Sequence, residues 1–127
     1  MKRLYVVRHA DSSWDNKLLS DFDRPLSNKG HLDAKNISKY FINQKYQVDT
    51  IIHSSAVRTT QTAKYLFEHL THKKSLKIFN EKLLYLTKVS HVIKILNTYL
   101  NDYNSIVYVG HNPTITSFVN YISDANI

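Results

Sequence analysis

Cysteine is absent from this chain, which removes disulfides, thiolate nucleophiles and cysteine-bound zinc from consideration, and with them any argument for an oxidising compartment. A cytoplasmic location is the default expectation. No apolar run approaches the roughly 18 residues of a membrane span, and Leu4 to Val7 is too short for the core of a secretory signal. No membrane association is expected. Internal repeats, low-complexity tracts and linker-like stretches are also missing, and 43% hydrophobic content in 127 residues suits one core. A single domain over residues 1–127 is therefore expected. Arginine is scarce as well: Arg3, Arg8, Arg24 and Arg58 stand against thirteen lysines. Lysine can serve as surface charge, but a planar fork that grips phosphate needs arginine, so the placement of these four carries information.

The formal charge of +7 and pI near 9.6 favour acidic partners. The lysines are scattered, however, with Lys73-Lys74 the only adjacent lysine pair, and basic and aromatic residues do not interleave as a base-stacking surface requires. This argues for a solvated lysine surface and against nucleic acid as the partner. Trp14 and the nine tyrosines are expected in core and packing roles.

Periodicity gives alternating strands and helices. Strands are expected near Arg3 to Val7, Thr50 to His53, Leu76 to Phe79 and Ile106 to Val109. Ser27 is placed to cap a helix bearing Ala34, Ile37, Tyr40 and Phe41, which ends as the chain turns near Lys45. Ser54-Ser55 is placed to cap a second, carrying Val57, Ala63, Leu66, Phe67 and Leu70. A third helix carries Val89, Val92, Ile93, Leu96 and Leu100, and a fourth follows Asn112-Pro113, an N-cap followed by proline. Such alternation implies an α/β fold, a three-layer sandwich whose mostly parallel sheet has helices on both faces.

Ligands of such sheets bind beyond the carboxyl ends of the strands. Arg8 and His9 follow the first strand, Ser54 to Arg58 the second, and Gly110-His111 the last, so all three segments arrive at one edge. A tetrahedral dianion there would meet Arg8 and Arg58, together with helix N-termini after Ser55 and Asn112. Neutral imidazole is nucleophilic near pH 7, so one histidine can take a phosphoryl group while the other donates to its oxygens. No metal or cofactor is required. His31, His53, His69, His72 and His91 read as structural or surface residues, since His69 and His72 lack a third ligand for a metal.

Four stretches also resemble a known family. They are Val7-Arg8-His9-Ala10-Asp11-Ser12-Ser13-Trp14, Asp21-Phe22-Asp23-Arg24-Pro25-Leu26-Ser27 with Gly30, Ser54-Ser55-Ala56-Val57-Arg58-Thr59-Thr60-Gln61-Thr62-Ala63, and Val109-Gly110-His111-Asn112-Pro113. In content and order they are similar to the histidine phosphatase superfamily, or phosphoglycerate-mutase-like proteins, and within it to the SixA-type phosphohistidine phosphatases. The resemblance implies that His9 is the phosphorylated nucleophile and that Arg8, Arg58 and His111 complete the phosphate pocket. It places Arg24 near the mouth, with Ser13 and Asn112 among the substrate contacts. Inorganic phosphate or sulfate is expected to bind.

The chain departs from the family pattern in two places. A glutamate commonly follows the Leu-Tyr pair in SixA-like relatives and protonates the leaving group, whereas here Leu84-Tyr85 is followed by Leu86. The nearest acid is Glu81, and the aspartate that acid phosphatases place after the second histidine is Asn112. An alkoxide leaves poorly without a proton, while a phosphoramidate whose imidazole is protonated departs as a neutral ring. This tilts the expectation towards phosphohistidine on a protein partner. A small-molecule phosphomonoesterase, a phosphate-binding module of weak activity and a basic nucleic-acid binder remain the alternatives. The second departure is that family members continue into a further strand after the last helix, so the domain is expected to lack that strand at Ile127.

Overall fold

The computed structural model describes residues 1–70 and 75–123. Its elements are β1 (Arg3–Arg8), α1 (Asn28–Asn43), β2 (Thr50–Ser54), α2 (Val57–His69), β3 (Lys77–Glu81), α3 (Val89–Leu100), β4 (Ser105–Gly110) and α4 (Thr114–Ser123), with short 3-10 turns at Asp21–Asp23 and Lys82–Leu84. Each expected strand forms, the third shifted a little towards the C-terminus. The sheet order is β1-β4-β2-β3 and every pairing is parallel, which the intervening helices make possible as crossovers.

Side chains alternate across a strand, and that period of two builds two cores. Ile51, Val107 and Val109 meet Phe41 of α1 and Ala63 and Leu66 of α2 on one face. Ile52, Ile106 and Tyr108 meet Val92 and Leu96 of α3 and Ile115 and Phe118 of α4 on the other. The result is the three-layer α/β sandwich. Strands β2 and β4 are buried along their whole length, while the edge strands β1 and β3 are partly exposed. Truncating a large residue of the central pair would therefore cost about 2–5 kcal/mol.

Local chemistry sets the helix ends, with one correction. Ser27 caps α1 by accepting from the Gly30 amide. At its far end Tyr46 donates to the Phe41 carbonyl and Lys45 to that of Ile42, a Schellman motif with Lys45 at φ 56° in the position usually given to glycine. The second helix is not capped by Ser54 or Ser55: its N-cap is Ala56, which has no capping side chain, because the Ser55 hydroxyl is spent on Asn80 Oδ1. Asn112 does cap α4, accepting from the amide and hydroxyl of Thr116, although the helix begins at Thr114, just after Pro113. Among the described residues, no helix is long and apolar enough to cross a membrane.

Candidate active site

Register carries the site. Strands β1 and β4 are neighbours with Arg8 opposite Gly110, so the next residues, His9 and His111, leave the sheet side by side. The His9 amide donates to the Gly110 carbonyl at 3.0 Å, and the two imidazole centroids lie 5.3 Å apart. Residues more than a hundred positions apart thus converge, as the alternating pattern predicts.

The two rings are held differently. His9 Nδ1 lies 2.7 Å from the Ala10 carbonyl; a carbonyl can only accept, so Nδ1 carries the proton and Nε2 keeps its lone pair. Burial lowers the His9 pKa below 6.5, reinforced by Arg58, Arg8 and Arg24 against the opposing pull of the Ala10 carbonyl. His111 Nε2 meets the Ser54 hydroxyl at 2.8 Å, and its buried Nδ1 has no hydrogen-bond partner. Burial, with Arg58 and His9 adding to it, lowers its pKa to about 4. Both rings are therefore neutral at pH 7.

A cavity of about 430 Å³ opens beside His9, with Arg8, Arg24, Arg58, Ser12 and Lys29 in its lining. Arg58 is buried; its Nη1 donates to the Asp21 carbonyl at 2.6 Å and its Nη2 to Asp21 Oδ2 at 3.0 Å. Arg24, also buried, is used on every nitrogen: Nε donates to the Ser13 carbonyl, Nη1 to Asp21 Oδ1 and Nη2 to Ser12 Oγ. It braces the wall of the cavity. Trp14 is not the core residue expected, being 73% exposed, and the Arg24 guanidinium stacks 3.1 Å from its ring centroid.

Asp21 is the residue that sequence reasoning passed over. Its carboxylate accepts from Arg58, from Arg24 and from the Tyr85 hydroxyl at 2.6 Å. The Tyr85 bond, followed by those from Arg58 and Arg24, outweighs partial desolvation and holds its pKa at about 2. The Tyr85 ring packs edge-on against Phe22 and against His111. The loop after β1 is tied down elsewhere: the Ala10 amide donates to Thr62 Oγ1, Ser27 donates to the Asp11 carboxylate, and the Asp11 backbone lies against Gly30. A Cβ on Gly30 would fall 1.9 Å from the Asp11 carbonyl oxygen.

Three expected residues take other positions. Glu81, the nearest acid, accepts from the Tyr99 hydroxyl of α3 and does not line the cavity beside His9. The Ser13 hydroxyl accepts from the Asp15 amide, leaving Ser12 to face the cavity. Asn112 Oδ1 is used by Thr116 as a cap. Among the other histidines, His31 pairs with the Tyr65 hydroxyl, His69 with the Tyr65 carbonyl and buried His53 with the Ser54 carbonyl. His91 is exposed, and His72 lies outside the described residues. Among the described residues, no three histidine, aspartate or glutamate side chains are grouped to hold a metal ion.

Solved structures share this architecture. The SixA protein of Agrobacterium tumefaciens superposes with a TM-score of 0.85 at 26% identity, over 94% of this chain and 75% of that one. The protein histidine phosphatase SixA complexed with tungstate gives 0.79 at 23% identity, over 92% and 74% of the two chains. An uncharacterized chloroplastic protein of Arabidopsis thaliana is 29% identical over 99% of this chain, which spans 61% of that relative's length. The model of the histidine phosphatase superfamily (branch 1) matches residues 4–82, more than half of the 127. The chain belongs to the histidine phosphatase superfamily.

Proposed function

We propose that this chain is a phosphatase that works through a covalent phosphohistidine on His9, with phosphohistidine in a protein partner as its substrate. One observation carries the reading: the Ala10 carbonyl holds the His9 Nδ1 proton, leaving a neutral nucleophilic Nε2 beside a cavity walled by Arg8 and Arg58. Nε2 attacks phosphorus, the bond from phosphorus to the substrate's imidazole breaks, and the protonated ring departs neutral. Water then attacks phosphorus, the bond to Nε2 breaks, and inorganic phosphate and neutral His9 are regenerated. Arg8 and Arg58, which line the cavity, follow the charge on the equatorial oxygens, where such reactions gain most of their rate.

The substrate class follows from the acid. Leu86 stands after Tyr85 and is 84% exposed, Glu81 is held by Tyr99 and Asn112 serves as a cap, so no carboxyl at these positions is free to protonate an alkoxide. A phosphoramidate tolerates this better than a phosphomonoester. Incubation with a radiolabelled phosphohistidine protein should label His9 transiently, and His9→Ala should abolish both label and turnover. Faster turnover of a sugar phosphate would overturn the substrate assignment. The same missing acid supports a second reading, a module that binds phosphorylated partners without turnover; saturable binding with no phosphate release would favour it.

A further inference from the structure

Arg58 is a buried cation in the wall of the cavity beside His9, and the structure shows which of its donors are already occupied. Both terminal nitrogens donate to Asp21, one to its carbonyl and one to its carboxylate. Meeting a single residue through both Nη atoms uses the end of the guanidinium fork, which leaves the edge formed by Nε and the outer Nη hydrogen for a second acceptor. Arg58 also lines the cavity beside His9. Asp21 itself is half-exposed, whereas the side chains of Arg58 and Arg24 are 8% and 9% exposed.

We propose that Asp21 is a positioning residue, which grips the end of the Arg58 fork so that the free edge faces the phosphoryl group, with Tyr85 holding the carboxylate in place. This rests on reading the cavity as a phosphate site. Two opposed effects have to be weighed. Asp21 repels an incoming dianion, but water screens that repulsion because the carboxylate is half-exposed. The orienting bonds act on a buried guanidinium, where charge-assisted hydrogen bonds are stronger. Orientation is the larger effect. Arg24 receives the same service on one nitrogen only, and its other two are held by Ser13 and Ser12, so the loss of Asp21 falls chiefly on Arg58.

The test is calorimetric titration of the purified protein with inorganic phosphate, which needs no turnover. Asp21→Ala should weaken phosphate binding by about 10- to 100-fold, and Asp21→Asn, which keeps the shape and one acceptor, by about 3- to 10-fold. In an Arg58→Lys background no fork remains to orient, so Asp21→Asn should change affinity by less than about 2-fold. Should Asp21→Ala fail to fold, the Asn variant and the double variant still decide the matter. Equal or tighter phosphate binding by Asp21→Asn, or an undiminished loss in the Arg58→Lys background, would overturn the role. A native protein that binds no phosphate would instead remove the phosphate-site reading on which it rests.

Discussion

The loop after β1 and the turn after β4 deliver the two histidines by different means. The turn is short: His111 steps from a fully buried strand almost directly into α4, and its ring stands between the Ser54 hydroxyl and the edge of Tyr85. The loop from His9 to Arg24 is long and polar, held by the Asp11–Ser27 bond, the Arg24 brace and the Asp21 hub. One half of the site is thus anchored chiefly by a packed, buried strand and the other by a network of loop hydrogen bonds. Packing is tolerant of small shifts in charge, whereas a hydrogen-bonded loop depends on individual donors and acceptors.

Variants on the two sides should break this comparison to different degrees. His9→Ala removes the proposed nucleophile and should lower phosphohistidine turnover by on the order of 10⁴-fold or more, while thermal denaturation remains close to that of the parent. Gly30→Ala attacks the loop through its support, since the added methyl meets the Asp11 carbonyl. A stability loss of about 1–3 kcal/mol is expected, measured by urea denaturation, with a parallel loss of phosphate affinity. Ser54→Ala removes the hydrogen-bond partner of His111, and its cost should be smaller, about 1 kcal/mol of stability and a turnover loss of several-fold, because the buried strand and the Tyr85 edge still hold the ring.

Acidification sharpens the contrast without a mutation. Both imidazoles have pKa values depressed by burial, that of His111 to about 4, whereas an unfolded histidine titrates near 6.5. As pH falls from about 6.5 towards 4 the unfolded chain takes up protons that the folded chain refuses, so stability declines across that window, and the depressed Asp21 carboxylate carries the decline further below it. Urea midpoints at pH 7 and pH 4.5 should differ in that direction, and by less in His111→Asn. Turnover should be flat near pH 7 and fall on the acid side with an apparent pKa below 6.5, as His9 is protonated.

The alternation of strands and helices and the meeting of His9 with His111 were legible in the sequence because both follow from short-range patterns: apolar runs, crossover helices and the rule that ligands sit at strand ends; the sheet order β1-β4-β2-β3 was not. Features that depend on remote partners were not. Asp21 contacts Arg58 across 37 positions and Tyr85 across 64, and no local pattern marks a carboxylate that ties together two buried arginines. Trp14 reads as a core residue by its size, yet the guanidinium beneath it gives the ring a reason to stay at the surface. Glu81 is close in sequence to the expected acid position, but the pleat of β3 turns it towards Tyr99 on the other layer.

The parallel pairing of β1 with β4 sets the gap between the two imidazoles, much as adjacent rungs of a ladder set the distance between two hands. Whatever alters substrate preference in such a scaffold is then free to do so in the connecting segments, without disturbing the reacting pair. Transplanting from a relative only the exposed stretch from Asp15 to Leu19, which leaves Asp21 and its arginines in place, should therefore change what is accepted while leaving the nucleophile where it stands.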